Sequence, residues 1–352
     1  MKDFGTSMAA FETDLKSRLG AEFYPPDIDK KHRKMARNPF LFLRATCWRW
    51  AEAAAAICPE LMNAPPVPSV GDAHAGNFGL WRDAEARLVW GINDFDEAAR
   101  LPYVLDLVRL CASVLLADDD ADAGQTARSI LEGYRAGLDD PTAFVLERHH
   151  LWLRNAFAAT DDQREAFWAE LEADSRDGPT AAMKRAMVAA LPTPAPPVVY
   201  ARRSAGAGSL GRARFVAFGS YRGGPIAVEA KALIPSCWTT AGEDGLAEKL
   251  AGNRWRSPDP FLSYQEHYVV RRLAPNSRKI DLSEANTGLR AKLLDAMGRE
   301  LASIHLGLEP LRQPIVHDLE QRTDDWLATA AKRVAKWTED EFEAFRAGSL
   351  KA

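Results

Sequence analysis

The sequence predicts an α+β chain with a helical part, a small β-rich part and a helical tail. Three observations predict it. The chain has 352 residues, more than one simple core accommodates, so two lobes are expected. Residues 103–191 carry apolar side chains at three- and four-residue spacing with few breakers, the pattern of amphipathic helices. The texture then changes at the proline cluster 192–197, after which short β-type runs follow.

Taken in order, residues 1–65 read mainly as helix, with Cys47–Ile57 as an alanine-rich run stopped near Pro59. Residues 66–100 read as strand, turn, strand. Val67–Val70 leads into Gly71-Asp72, and Arg87–Ile92 leads into Asn93-Asp94. The helical stretch 103–191 includes Val104–Ala117 and an acidic turn at Asp118–Asp122, which is expected to be solvated and not a metal site. After the prolines, Val198–Tyr200, Ala213–Gly219, Pro225–Leu233, Tyr268–Leu273 and Lys279–Leu282 read as strands, with a hairpin turn at Gly223-Gly224. Helix returns from Glu284. The expected division is 1–191, 192–285 and 286–352.

Composition narrows the class. The net charge of −4 gives no overall attraction to nucleic acid or anionic lipid, so any phosphate-binding patch is local. The N-terminus lacks the apolar run of a signal peptide, and Val104–Ala117 is too short and too charged to span a bilayer. A cytoplasmic protein with no membrane partner is expected. The four cysteines, Cys47, Cys58, Cys111 and Cys237, show no C-x-x-C spacing. They are expected to be buried free thiols, neither metal ligands nor a disulfide framework. Ten tryptophans would serve packing, or binding if the chain were an interaction module.

The sharpest signal is Val70-Gly-Asp-Ala-His-Ala-Gly-Asn-Phe78, in which Asp72 and Asn77 stand in the D-x-x-x-x-N spacing of a kinase catalytic loop. One carboxylate is needed to take the proton of an attacking hydroxyl, and a nearby amide oxygen suits a hard cation on nucleotide phosphates. A second segment, Leu88-Val-Trp-Gly-Ile-Asn-Asp-Phe-Asp-Glu97, ends an apolar strand in carboxylates. Asp94 is placed as a metal ligand, with Asp96 and Glu97 in support or facing solvent. The plainer alternative is a pair of Asx turns at strand ends.

Far downstream, Gly206-Ala-Gly-Ser-Leu-Gly211 fits G-x-G-x-x-G but leads into strand, not helix. That favours a glycine-rich hairpin over phosphates, with Gly206, Gly208, Ser209 and Gly211 in the loop and Lys231 on a nearby strand pairing with the phosphates. Lys231 alone would pass for a surface lysine on an edge strand.

The sequence GDAHAGN followed by INDFDEAARLPYVLDL resembles the aminoglycoside-phosphotransferase and choline-kinase branch of the kinase-like superfamily. Asn93 is one residue more than that pattern holds. The segments NPFLFLRA, GDAHAGNFG, INDFDEA, GAGSLG, EAKALIPS, YVVRRL and GRELASIHLG are similar to the domain-of-unknown-function family 2252. The resemblance implies a bilobal kinase-like fold, Asp72 as catalytic residue, Asn77 and Asp94 as magnesium ligands, and Asp106 as a buried structural carboxylate. His74 would orient the loop through hydrogen bonds. The glycine-rich loop and Lys231 follow the catalytic loop instead of preceding it, as does Gly298–Leu306, which is similar to the helix that ordinarily comes before that loop. Circularly permuted lobes are therefore expected, which the proximity of chain ends permits. The partner of Lys231 is open between Glu248 and Glu243, and Arg44 is expected to be solvated or structurally paired.

The expected activity is transfer of a phosphoryl group from ATP, with Mg2+, to a hydroxyl of an unread acceptor. AMP transfer on the same fold, or nucleotide binding without catalysis, are the alternatives. A binuclear phosphatase lacks its further ligand motifs among the seven histidines.

Overall fold

Helix and strand periodicities resolve into ten strands in three antiparallel groups, clothed by helices. The computed structural model describes residues 2–173, 178–204, 206, 208–238, 245–265, 267–280, 282, 285 and 287–349; the strand count refers to these. β1 (Pro66–Ser69) pairs with β4 (Ala99–Pro102). β2 (Phe78–Arg82), β3 (Leu88–Ile92) and β5 (Phe144–Val145) form a second sheet. The third contains β6 (Val198–Arg202), β7 (Arg214–Tyr221), β8 (Gly224–Ala232), β9 (Ser263–Gln265) and β10 (Tyr268–Leu273), in the order β6-β7-β8-β10-β9.

The five-stranded sheet follows from alternation. On β8, Ile226, Val228, Ala230 and Ala232 share one face and enter a core with Phe215, Ala217 and Val270. Ala227, Glu229 and Lys231 occupy the other face, because successive strand residues point to opposite sides. The β7–β8 turn lies at Arg222-Gly223, with Tyr221 opposite Gly224. Both turn residues have positive φ (49° and 83°), the geometry that matches strand twist in a two-residue hairpin. The expected Gly223-Gly224 turn is thus shifted by one residue, and Gly224 begins the strand.

Helices that precede the proline cluster close this core. Met183 and Met187 of the helix Ala181–Ala189, and Leu15 and Leu19 of the helix Phe4–Leu19, pack beneath the sheet. On the opposite face, Leu171 of the helix Asp161–Ala173 joins Val216, Ala227 and Leu273.

The larger core is built on Val104–Ala117, which is buried along almost its whole length. The helices Ala123–Asp139 and Thr287–His305 pack closely beside it. A Cβ on Gly298 would lie 2.1 Å from the Ile130 carbonyl oxygen, so only glycine permits this approach. No helix among the described residues is long and apolar enough to cross a membrane.

Some expectations are corrected here. Lys279–Leu282 is not a strand: Lys279 makes an isolated antiparallel bridge to Gly79, and Asp281 lies outside the described residues. The last helical region begins at Thr287, with Glu284 also outside them. β2, β4, β5 and β9 were not anticipated. β2 carries a continuous buried run, Phe78-Gly-Leu-Trp81, which lacks the alternation that marks a half-exposed strand. Asp118–Asp122 does serve as a turn, where Asp122 caps the next helix by accepting the Gln125 N–H at 2.7 Å.

Candidate functional site

The site is assembled at the ends of β1, β3 and β8. After β1 the chain turns at Gly71, whose φ is 77° and whose Cβ would fall 1.9 Å from the Glu97 carbonyl oxygen. The turn therefore demands glycine for conformation and for space. Asp106, in the first turn of Val104–Ala117, accepts the N–H groups of Val70 and Gly71 at 2.8 and 3.0 Å. His305 Nε2 lies 3.1 Å from the same carboxylate, and its Nδ1 is 2.8 Å from the Tyr134 hydroxyl. Asp106 is thus a buried structural carboxylate, as expected, and it holds the start of the Asp72–Asn77 loop.

That loop is tied to the Asp94 loop by amides. Asn77 Nδ2 donates to the Asp94 carbonyl at 2.9 Å, and the Asn93 N–H donates to the Asn77 carbonyl at 2.9 Å. The additional Asn93 is thereby used in joining the two loops. With its NH2 engaged, Asn77 keeps its side-chain oxygen as the acceptor for Lys279 Nζ at 3.4 Å. Beneath β3, the buried Arg256–Glu300 pair accepts and donates at Ile92: Glu300 takes its N–H at 3.1 Å and Arg256 reaches its carbonyl at 2.8 Å.

Asp72 is gripped by Arg109, with 2.6 Å between Nη2 and Oδ1. Burial raises the Asp72 carboxyl above its ordinary range, and Arg109 offsets part of that rise. His74 does not make the expected orienting hydrogen bonds. Its Nε2 stands 3.8 Å from Asp72 Oδ2, too long for a hydrogen bond, and its buried Nδ1 has no partner among the described residues. Burial, with Arg44, Lys279 and Arg109 nearby, holds His74 well below its ordinary value, hence neutral.

Lys231 answers the open question of its partner. It pairs with Asp94 at 3.1 Å and with Asp96 at 2.6 Å. Glu248 is exposed on the helix Leu246–Ala251, and Glu243 lies outside the described residues. Asp96 also takes Arg212 Nη1 at 2.9 Å, so it is shared between two cations at the cavity wall. Burial alone would raise Asp94, but Lys231 and Lys279 outweigh it and hold the group well below the ordinary carboxylate range. Asp96 goes the other way, pushed up to about 6 by burial and by Asp94. Lys279 is brought down to about 8 by burial, although Asp94 opposes this.

The glycine-rich segment connects β6 to β7, as a hairpin should. Gly206 and Gly211 have φ of 77° and 96°. Ser209 Oγ accepts from Arg214 Nη2 at 2.7 Å. Behind the hairpin, Glu229 receives Arg214, Arg203 and Arg271 at 2.9, 3.1 and 2.9 Å. Burial would raise Glu229, but the three guanidinium groups together drive it far down.

These pieces enclose a cavity of about 410 Å3, within the size range of small-ligand sites. Asp72, His74, Asn77, Asp94, Asp96, Gly206, Gly208 and Ser209 line it. Gly211 does not, and Lys231 stands behind Asp94 and Asp96. Arg44, expected to be solvated or structural, lines the cavity beside Gly76. Sequence reading missed Arg109, Arg212, Arg271 and Lys279, because no local motif marks them. It also missed Trp238, whose Nε1–H donates to the Gly71 carbonyl at 2.9 Å.

Residues 24–190 match the family DUF2252, described as an uncharacterized protein conserved in bacteria. This match supports placing the chain in that family. The DUF2252 segment contains Asp72, Asn77, Asp94 and Arg109, and ends before the glycine-rich hairpin and Lys231. It is shorter than the spread of similar motifs implied. No curated protein and no solved structure matches the chain.

Proposed function

We propose that the protein is a nucleotide-dependent phosphotransferase with a circularly permuted, bilobal kinase-like fold, using ATP and Mg2+. The observation that carries this reading is the convergence of Asp72, Asn77 and Asp94 on one cavity, with Lys231 paired to Asp94 behind its wall, from segments far apart in sequence. An interaction module has no need of that convergence. The permutation is supported by His305, which ends the helix Thr287–His305 and reaches Asp106 beneath the Asp72 loop. The helix reaches that loop from downstream in the chain.

The donor set fits a hard cation. The Asn77 side-chain oxygen and the ionised Asp94 carboxylate are oxygen ligands at the cavity wall, and magnesium needs few from protein. Mg-ATP, when bound, supplies the transferable phosphoryl group and neutralises its charge. Lys231 and Lys279 then have phosphate oxygens as alternative partners to the carboxylates and the Asn77 amide oxygen they respectively touch now. Asp96, itself held by Arg212, holds Lys231 in place. Asp72 accepts the acceptor hydroxyl's proton on a carboxylate oxygen, and Arg109 fixes the orientation of that carboxylate. Neutral His74 contributes no charge.

ATP labelled separately at the α and γ phosphates tests the reaction class. Magnesium-dependent release or transfer of the γ label, lost in Asp72→Asn, is the expected result. Movement of the α label onto an acceptor would instead establish AMP transfer, and movement of neither label would leave a binding module.

A further inference from the structure

Two of the four cysteines meet across 190 residues of sequence, with Sγ atoms 3.8 Å apart. Cys47 opens the helix Cys47–Ile57, and Cys237 lies on the segment after β8. As expected, both are free thiols; Cys47 is buried, while Cys237 is only half-buried. Glu97 joins them, and one ligand atom from each of the three residues lies within 4.8 Å of the others. Among the described residues, no other trio of His, Cys, Asp or Glu is gathered in this way.

We propose that Cys47, Cys237 and Glu97 form a binding site for one zinc-like divalent cation, beside the Asp72 loop and distinct from the hard oxygen donors Asn77 and Asp94. The geometry suits zinc. A cation ~2.3 Å from both sulfurs, at their 3.8 Å separation, subtends ~111°, close to the tetrahedral angle. Two sulfurs and one carboxylate oxygen leave a fourth position for water. Cys47 and Glu97 line the cavity, which provides the entry path. Thiolates select a soft or borderline ion over magnesium. The carboxylate is already oriented, since the Cys237 N–H donates to Glu97 Oε2 at 2.7 Å and Arg212 lies 3.5 Å from Oε1. Such outer contacts fix ligand geometry.

Binding expels the two thiol protons to solvent, so affinity rises with pH. It also removes the Cys47 S–H contact to the Gly71 carbonyl, now 3.5 Å, leaving Trp238 as the donor there. Occupancy is thereby felt one residue from Asp72. The same sulfur separation would serve a disulfide, formed as two thiols lose two hydrogens to hydrogen peroxide and yield two waters.

The test is titration of the full, reduced, chelator-treated chain with Co2+, followed by Zn2+. The expected result is one equivalent of Co2+ with a thiolate-to-cobalt charge-transfer band, displaced by Zn2+ with proton release. Cys237→Ser should weaken binding by more than about 100-fold, beyond the ~10–100-fold that outer contacts carry. Glu97→Gln should weaken binding while keeping the band. Cys58 and Cys111 remain in every variant, so a band that survives Cys47→Ser/Cys237→Ser overturns the assignment. Alkylation of Cys237 in the native chain needs no variant, and Zn2+ should suppress it. No band and no protection overturn the proposal. So does a Cys47–Cys237 disulfide formed by peroxide in a chain that binds neither metal.

Discussion

Asp72 and Lys279 face the same cavity and are displaced from their ordinary titration in different ways. Asp72 is raised by burial yet keeps Arg109 at 2.6 Å, an environment that increases the carboxylate's affinity for a proton. Asp72→Asn should lower phosphoryl transfer by ~10²–10⁴-fold and leave Mg-nucleotide affinity nearly unchanged; parallel rate and binding assays check both. Lys279 carries its charge below about pH 8 and loses it above. Affinity for a polyphosphate ligand should therefore fall as pH rises through that value. Lys279→Arg keeps its charge to above pH ~12, so the decline should vanish in that variant, as binding measured across the pH range would reveal. An unchanged decline in the arginine variant assigns it to another group.

At the scale of elements, β8 presents two charged residues to the cleft side of the five-stranded sheet. Glu229 is engaged there by three arginines from β7, the segment after β6, and β10. Glu229→Gln leaves those cations without their carboxylate and should destabilise the fold by ~3–5 kcal/mol, read from urea unfolding. A change below about 1 kcal/mol, the range of exposed pairs, contradicts a structural role for the cluster. How much of this was legible depends on the kind of signal. The helices Cys47–Ile57 and Val104–Ala117 and the strand Tyr268–Leu273 were read at their observed bounds, because their apolar patterns end at proline or charge. Asp72, Asn77 and Asp94 were legible because they fall in short, spaced motifs, and Lys231 because glycines announced a hairpin before it. Arg109, Arg212, Arg271, Lys279 and the Cys47–Cys237 contact were not legible. Each depends on which distant segments pack together, and a buried arginine reads locally like a surface one. β2 was missed for a different reason: burial of both faces removes the period of two.

At the scale of the whole molecule, the proline cluster is a covalent boundary more than a packing boundary. Leu15, Leu19, Met183 and Met187 precede it, yet they fill the core beneath β7, β8 and β10, which follow it. Residues 193–195 are exposed. A single proteolytic cut there should leave two fragments that co-elute on size exclusion and separate only in denaturant; fragments that separate in native buffer would contradict the shared core. The same long-range packing brings Lys231 to Asp94 and His305 to Asp106, and on it the nucleotide reading rests. The most direct measurement is thermal unfolding of the intact chain with and without Mg-ATP, alongside Asp94→Asn. Ligand bound only to the folded state adds ~2.7 kcal/mol of stability at a hundred times its dissociation constant. The account predicts a rise in midpoint that needs magnesium and is lost in Asp94→Asn; no rise at millimolar Mg-ATP, or an equal rise in the variant, would contradict it.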